Sequence, residues 1–325
     1  MKAEILALLR ESDDYISGQE LCSRFGVTRS AVWKAVGQLK KEGYEIEAVQ
    51  NRGYKLVGAE VYGENELRSR IHTAWAGAEL HFYRTTGSTN LLAKQAGEGD
   101  APHGALFVAD EQTAGRGRRG RSWQSPQGAN IYFTILMRPD FAPERASMLT
   151  LVMAHSVTCA IRRLTGMEAG IKWPNDVLLE DKKVCGILTE MSVEREYIHY
   201  VVCGVGINVA SQEFPEEIRD RATSVEAVYG QAVSKGALLQ YVMEAFERDY
   251  DAFVAAGDLT PLLEGYNKLL VNRGRKVRVL DPRGEWEGTA GGINSRGELL
   301  VENAAGEIQA IYAGEVSVRG IYGYV

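Results

Sequence analysis

Residues 115–126 read Gly-Arg-Gly-Arg-Arg-Gly-Arg-Ser-Trp-Gln-Ser-Pro, and their interpretation decides the fold class. The glycine spacing matches the G-x-G-x-x-G fingerprint of dinucleotide-binding domains, and the stretch also comes close to a phosphate-binding P-loop. Both motifs need a helix immediately after the glycines. Pro126 is incompatible with such a helix, and Arg121 stands where the P-loop requires lysine. A doubly wound parallel sheet is therefore not predicted.

The same residues form an unusual loop, because 115–121 contain four arginines and three glycines. The arginines repel one another, and the glycines lose much backbone entropy when they become ordered. A bound anion relieves both costs, since guanidinium groups and glycine N–H groups can donate hydrogen bonds to its oxygens. Taken alone, the stretch fits a phosphate-binding loop and a basic nucleic-acid-binding loop almost equally well.

The wider pattern around this loop predicts an α+β fold. From residue 61 to 272, strand-like and helix-like segments alternate, and several strand-like segments follow one another as hairpins. Hairpins make antiparallel pairs, so this middle domain is predicted to contain a mixed sheet. Residues 273–325 instead read as short strands separated by turns, which predicts a small C-terminal β-barrel.

The first segment, residues 1–60, reads as three helices followed by a hairpin. Ser17 with Glu20 three residues later matches a capping box, Gly26 marks a turn, and Thr28 can cap the next helix. This order predicts a winged helix-turn-helix, in which the second helix of the motif enters the major groove of DNA.

The local charge supports the same interpretation. The formal net charge is −6, yet residues 21–41 contain five basic side chains and no acidic one, so a polyanion is expected to dock there. The alternative is a solvated basic helix face, but turn, basic helix and hairpin in this order favour DNA binding. The residues predicted to face DNA are Ser17, Thr28, Arg29, Ser30, Trp33, Lys34 and Arg52.

Further polar motifs occur at the ends of strands and helices in the middle domain. Residues 88–90, Ser-Thr-Asn, open a helix whose hydroxyl and N–H groups can hold a small polar ligand group. Residues 172–176, Lys-Trp-Pro-Asn-Asp, end a strand with groups able to bind ribose or a metal-bound water. Lys183 precedes Gly-Ile-Leu at 186–188, and residues 204–208, Gly-Val-Gly-Ile-Asn, form a strand with little side-chain bulk.

Together with the arginine loop, these motifs resemble those of the biotin protein ligase family. The resemblance spans nearly the whole chain, and no core motif departs from it. It implies a winged helix-turn-helix, a mixed-sheet ligase domain of the biotin/lipoate ligase type and a C-terminal SH3-like β-barrel. Shorter ligases of this family lack the DNA-binding part. Its presence here implies a bifunctional ligase and repressor of biotin genes.

The resemblance implies two adjoining binding sites and assigns catalytic roles to Lys183, Arg118 and Lys172. The residues expected at biotin are Ser88, Thr89, Asn90, Gln112, Arg116, Gly117, Arg118 and Lys183. The residues expected at ATP or the adenylate are Arg121, Trp123, Lys172, Asn175, Asp176 and Asn208.

The implied reaction has two steps. Biotin and ATP form biotinyl-AMP, and a lysine of the biotin carboxyl carrier protein of acetyl-CoA carboxylase then takes the biotin. The first step needs no general base, because a carboxylate is ionised near neutral pH, but it needs cations around the anionic transition state. Mg²⁺ is expected to enter with ATP, near Asp176, without a metal site built from protein side chains alone.

Operator DNA and, in the adenylate-bound state, a second copy of the chain are the other expected partners. No run of 18 apolar residues and no secretory signal are present, so a cytoplasmic protein without a membrane partner is expected. The four cysteines lack the spacing of a zinc site or of a disulfide framework.

The sequence leaves two other functions open. A winged-helix transcription factor that senses a ligand without ligase activity would explain residues 1–60 but not the clustered cations. A lipoate or octanoyl ligase would use a related fold. The arginine loop and the Lys-Trp-Pro-Asn-Asp motif favour biotin over these acids.

Overall fold

The chain forms two compact units, Met1–His72 and Thr73–Val325. The finer division into domains 1–60, 61–272 and 273–325 stays a prediction. Within the part of the chain that is described, every helix is too short or too polar to span a lipid bilayer. The computed structural model describes residues 1–58, 61–194, 197–281, 284–312 and 317–320.

The first unit contains the predicted helices and hairpin in the predicted order. Its hydrophobic core includes Leu6 from the first helix and Val36 and Leu39 from the third. The two strands pair antiparallel and form the wing. These elements are α1 (Lys2–Glu11), α2 (Gly18–Phe25), α3 (Arg29–Lys41), β1 (Glu45–Val49) and β2 (Gly53–Gly58).

Local signals set the boundaries of α2 and α3, the two helices of the predicted helix-turn-helix. The Ser17 hydroxyl accepts a hydrogen bond from the Glu20 N–H at 3.1 Å, and the Thr28 hydroxyl accepts one from the Ala31 N–H at 3.3 Å. Each bond satisfies a backbone donor that the first helical turn leaves open. Gly26 ends α2 with φ 63°, a left-handed conformation that favours glycine. The turn between the helices is therefore encoded locally.

A fourth helix, α4 (Glu64–Arg70), completes the first unit and was not predicted. The Arg10 guanidinium of α1 donates to Glu66 at 2.8 Å and to the Ser69 hydroxyl at 2.6 Å. Glu66 is almost fully buried and also accepts from Arg70. A buried carboxylate is tolerated here because two guanidinium groups pair with it.

The second unit is built on a seven-stranded mixed sheet with the order β3-β4-β5-β9-β8-β7-β6. Strands β3 and β4 run parallel, and the other neighbours are antiparallel. The predicted mixed sheet is confirmed. Its strands are β3 (Leu80–Thr86), β4 (Leu106–Gln112), β5 (Ile131–Met137), β6 (Gly170–Lys172), β7 (Asp176–Leu179), β8 (Lys182–Glu194) and β9 (Tyr197–Ile207).

Helices α6 and α8 pack together beside this sheet and are joined by a buried ion pair. The Nδ1 atom of His155 lies 2.7 Å from Asp249. Burial lowers the pKa of His155, but its hydrogen bonds with Asp249 and Cys159 outweigh burial and raise the pKa to about 9. His155 is thus a structural residue. The helices of the unit are α5 (Thr89–Gly97), α6 (Met148–Thr165), α7 (Val225–Tyr229), α8 (Lys235–Ala256) and α9 (Leu263–Leu269).

The C-terminal strands form a separate five-stranded antiparallel sheet with the order β13-β12-β11-β10-β14. Trp173, directly after β6, connects to this region: its Nε1–H donates to the Gly297 carbonyl at 3.0 Å, and its backbone N–H donates to Asn272 at 2.9 Å. The strands are β10 (Lys276–Asp281), β11 (Gly284–Ile293), β12 (Leu299–Asn303), β13 (Ile308–Ile311) and β14 (Ser317–Gly320).

Candidate active site

Three glycines on neighbouring strands leave room for a cleft over the central sheet. Gly186 of β8 pairs with Gly206 of β9, and Leu188 pairs with Gly204. A Cβ atom on Gly204 would lie 1.8 Å from Asn90 Oδ1, and one on Gly206 would lie 2.4 Å from Trp123 Nε1. Both distances are far below van der Waals contact, so a larger residue would displace these side chains.

Most of the predicted ligand-binding residues line this cleft. They come from the start of α5, the end of β4, the arginine loop, the turn before β7 and the start of β8. The predicted residues that line it are Ser88, Thr89, Asn90, Gln112, Arg116, Gly117, Arg118, Trp123, Asn175 and Lys183.

Gln112 holds the start of α5 against the arginine loop. Its Oε1 atom accepts hydrogen bonds from the Thr89 N–H at 2.9 Å and the Thr89 hydroxyl at 3.2 Å. Its Nε2 atom donates to the Ser125 hydroxyl at 3.0 Å. Ser88 is buried beside Thr89 and Gln112, and its hydroxyl makes no hydrogen bond to any of the described residues. The Ser88 hydroxyl is thus available to a ligand.

The arginine loop folds into a tight hairpin beside the cleft. The Gly117 N–H donates to the Arg121 carbonyl at 2.7 Å, and the Trp123 N–H donates to the Gly115 carbonyl at 2.9 Å. Arg119 has φ 57° at the tip of this hairpin. The hairpin turns Arg118 inward, while Arg119 remains exposed to solvent.

Arg118 is the arginine of this loop that is fixed against the sheet. Its Nη1 atom donates to Asn175 Oδ1 at 2.8 Å. Burial, with the charge of neighbouring Arg119, lowers the pKa of Arg118, although a guanidinium still remains charged at neutral pH. The loop therefore presents a partly desolvated cation to the cleft, where its field on an anion is stronger than in water.

Lys183 provides a second cation in the cleft, and it contacts the residue next to the one that holds Arg118. Its Nζ atom lies 2.6 Å from Asp176 Oδ1 and 5.3 Å from the centroid of the Trp123 ring. The Trp123 Nε1–H is buried without a hydrogen-bond partner in the described residues. The Trp123 ring lies over Gly186 and Gly206 on the floor of the cleft.

Four residues predicted to bind ATP do not line the cleft directly. Lys172 and Asn208 are buried, and Asn208 Nδ2 donates to the Thr223 carbonyl at 3.1 Å. Arg121 is exposed on the arginine loop. Asp176 contacts Lys183 from the side. Lys172 pairs with Asp176 in the register of β6 and β7, and the contact of all four residues with ATP stays a prediction.

One acidic residue that contacts the lining of the cleft was missed in the sequence analysis. Glu190 of β8 accepts a hydrogen bond from Asn90 Nδ2 at 2.9 Å and lies 3.1 Å from Lys94 Nζ. The sequence did contain a signal: Glu190 lies two residues after Gly-Ile-Leu, and residues two apart on a strand face the same side of the sheet. Its partners lie 96 and 100 residues away in the sequence, so no local pattern reveals them.

Most of the predicted DNA-facing residues are exposed on α3 or the wing, whereas Ser17 is half-buried at the start of α2. Trp33 is 72% exposed, which is unusual for so large an apolar side chain. Arg29 bonds to Gln19 at 3.0 Å, and Arg52 bonds to Asp14 at 2.9 Å. Ser17 and Thr28 cap helices with their hydroxyls, and Ser30 bonds to Thr28, while Lys34 is exposed.

Sequence comparisons identify all three parts of the chain. Residues 82–208 match the biotin/lipoate A/B protein ligase family, residues 2–55 match a helix-turn-helix (HTH) domain, and residues 274–319 match the biotin protein ligase C-terminal domain.

Relatives match over most of the chain. The bifunctional ligase/repressor BirA of Bacillus subtilis is 35% identical over 98% of this chain and 98% of its own length. The biotin–[acetyl-CoA-carboxylase] ligase of Paracoccus denitrificans is 34% identical over 72% of this chain and 98% of its own. The structure of Aquifex aeolicus biotin protein ligase with biotin and ATP is 32% identical, has a TM-score of 0.66, and covers 75% of this chain and 99% of its own. The chain therefore belongs to the biotin protein ligase family, in its bifunctional ligase/repressor form.

Proposed function

We propose that this protein activates biotin with ATP in the cleft and transfers the biotin to a lysine of the biotin carboxyl carrier protein of acetyl-CoA carboxylase. The observation that carries this proposal is that Arg118 and Lys183 converge on one cleft with Ser88, Thr89 and Gln112. Such a cleft offers hydrogen-bonding groups to a polar ring at one end and cations to a carboxylate and a phosphate at the other.

The two cations act on the charge that develops during adenylate formation. The biotin carboxylate attacks the α-phosphate of ATP, the bond to pyrophosphate breaks, and negative charge accumulates on the phosphoryl oxygens. Lys183 and Arg118 are held by Asp176 and Asn175, so they are positioned before the reaction begins. Preorganised cations of this kind stabilise the transition state without reorganisation. The acceptor lysine then attacks the carboxyl carbon of biotinyl-AMP, and AMP leaves.

Magnesium fits this site as an ion carried by ATP. Within the described residues there is no cluster of three or more His, Cys, Asp or Glu side chains that could hold a metal by itself. Mg²⁺ in nucleotide sites is typically bound by one or two carboxylates together with phosphate oxygens and water. Asp176 and Asn175 supply oxygen donors of this type beside Lys183. The ion would neutralise phosphate charge there.

Transfer of biotin to a carrier domain tests the proposal directly. The purified protein is incubated with biotin, MgATP and a biotin-carboxyl-carrier domain, and labelled carrier is detected with streptavidin. We expect transfer that requires ATP and is not reduced by excess lipoate or octanoate. Transfer of lipoate instead would identify the related acid ligase. Absence of both transfer and pyrophosphate release would leave a ligand-sensing transcription factor.

The exposed surface of α3 supports repression through operator DNA as a second activity. Arg29, Trp33 and Lys34 project from the helix that enters the major groove in this motif, with the wing beside it. A protein with this activity works where DNA, ATP and carboxylases are found, so we place it in the cytoplasm. Biotinyl-AMP is the proposed corepressor.

Replacing Lys34 with alanine is expected to weaken operator binding and to lower the salt dependence of binding by about one unit in the slope of log K against log salt. The reason is the loss of one phosphate contact. Fluorescence anisotropy would be measured with a duplex selected by the protein from random DNA in the presence of biotin and MgATP. Lys2→Ala is the control for the loss of one positive charge from the first unit, because Lys2 lies on α1 and pairs with Glu42, directly after α3. An unchanged slope for Lys34→Ala would contradict the assignment.

The adenylate-bound form is proposed to be a homodimer. Two winged helices in a symmetric dimer match the two half-sites of a palindromic operator. The hairpin of β8 and β9 supplies a surface for such contact, since Met191, Val193 and Tyr197 are large apolar residues exposed near its tip. Clustered exposed apolar residues commonly mark interaction sites.

A further inference from the structure

Both side-chain amide protons of Asn90 make hydrogen bonds within the protein. Its Nδ2 atom donates to Glu190 Oε2 at 2.9 Å and to the Leu188 carbonyl at 3.3 Å. An amide nitrogen has two protons, so none is left for a ligand. Asn90 therefore cannot act as a donor in the cleft while Glu190 is in place.

The oxygen of the same amide faces the glycine floor. Asn90 Oδ1 accepts a hydrogen bond from the Thr134 hydroxyl at 2.7 Å and lies 1.8 Å from the position that a Cβ atom on Gly204 would take. An amide oxygen accepts two hydrogen bonds. Within the described residues no second donor to this oxygen occurs, so the cleft has an acceptor at this point.

Glu190 determines which end of the amide faces the cleft. Rotating the amide by 180° would place its oxygen against the Glu190 carboxylate and the Leu188 carbonyl, which both only accept. Burial raises the pKa of Glu190, but hydrogen bonds from Asn90 and Lys94 outweigh burial and lower it. The carboxylate is thus ionised at neutral pH, and the flipped amide would face a negative charge.

We propose that Glu190 is a positioning residue for ring recognition: by fixing the Asn90 amide, it presents an acceptor for a ring N–H group of the substrate. The inference rests on the proposed function. A cyclic urea such as the ring of biotin has N–H donors, whereas the dithiolane ring of lipoate has none. A dithiolane ring would leave the buried Asn90 oxygen without a hydrogen bond, which disfavours its binding. Glu190 therefore contributes to the preference for ureido acids over dithiolane acids.

The test compares Glu190→Ala and Glu190→Gln with Glu244→Ala in biotin-dependent pyrophosphate release. Glu244 is a matched control, because its carboxylate also pairs with a cation, Arg163, and accepts from an amide, Gln240. Glu190→Ala is expected to raise the KM for biotin about 10- to 100-fold and to leave the KM for ATP within about twofold. Glu190→Gln keeps an acceptor and the side-chain volume, so partial rescue is expected. Glu244→Ala should resemble wild type.

Three results overturn the inference. They are an unchanged biotin KM in both Glu190 variants, an equal rise in the KM values for biotin and ATP, and a lower kcat with both KM values unchanged. If Glu190→Ala does not fold, calorimetric titration of Glu190→Gln with biotin tests the inference instead. Wild-type affinity for biotin in that variant would reject the proposed role of Glu190. Wild-type protein that releases no pyrophosphate with biotin would instead remove the proposed function itself.

Discussion

Replacing Lys183 with alanine is expected to lower the rate of adenylate formation by about 100- to 1,000-fold, the range found when a group that stabilises transition-state charge is removed. Lys183 faces the cleft with its Nζ atom 2.6 Å from Asp176, so the variant loses a cation beside the phosphate and one of the contacts that offset the charge of the Asp176 carboxylate. Both changes disfavour the anionic transition state. Biotin-dependent pyrophosphate release in the presence of MgATP measures the effect.

Lys182→Ala is the control for this experiment. Lys182 is the preceding residue of the same strand, and its side chain is exposed. The substitution removes the same charge from the neighbouring position, so an effect of total charge would reduce both rates. We expect near-wild-type activity for Lys182→Ala. Equal losses in the two variants would show that Lys183 has no specific role.

Replacing Gly204 with alanine is expected to weaken biotin binding about 5- to 150-fold, which corresponds to the 1–3 kcal/mol typical of an overpacked site. The new methyl group would lie 1.8 Å from Asn90 Oδ1. Asn90 has little freedom to move, because Thr134 and Glu190 hold both ends of its amide. Calorimetric titration with biotin gives the affinity.

Gly37→Ala is the corresponding control, because a Cβ atom at Gly37 meets no atom within 4 Å. Gly37 lies inside α3, where alanine is favoured over glycine by about 0.5–1 kcal/mol. Biotin affinity should stay unchanged and the thermal midpoint should rise slightly. Wild-type biotin affinity in Gly204→Ala would mean that the Asn90 amide is not constrained as described.

The elements with local signals were predicted well. Ser17 and Thr28 each cap a helix by bonding to an N–H three residues later, and such bonds depend only on neighbouring residues. The strands beside residues 172–176 and 183–190 were also placed correctly, because their apolar residues are flanked by turns. Helix α4 was missed, since it is short and owes its burial to the pairing of Glu66 with Arg10.

The candidate site was predicted as a set of motifs, not as a geometry. The resemblance identified ten residues that line one cleft, among them Ser88, Arg118 and Lys183. The register of β8 and β9 places Gly186 opposite Gly206, and this register follows from long-range pairing. Glu190 could be found only after that register was known, because its bond to Asn90 joins residues 100 positions apart.

The contacts of Trp173 affect how the activity of a chain without its C-terminal sheet should be interpreted. Its indole N–H is satisfied by Gly297, and its backbone N–H by Asn272. Removing the C-terminal sheet would take away the hydrogen-bond acceptor of the Trp173 indole N–H. It would also expose one side of Trp173, which is the largest buried side chain in the described residues and follows Lys172 directly. Loss of activity on truncation would then report a damaged catalytic core, and it would not by itself identify the C-terminal sheet as the surface that receives the carrier protein.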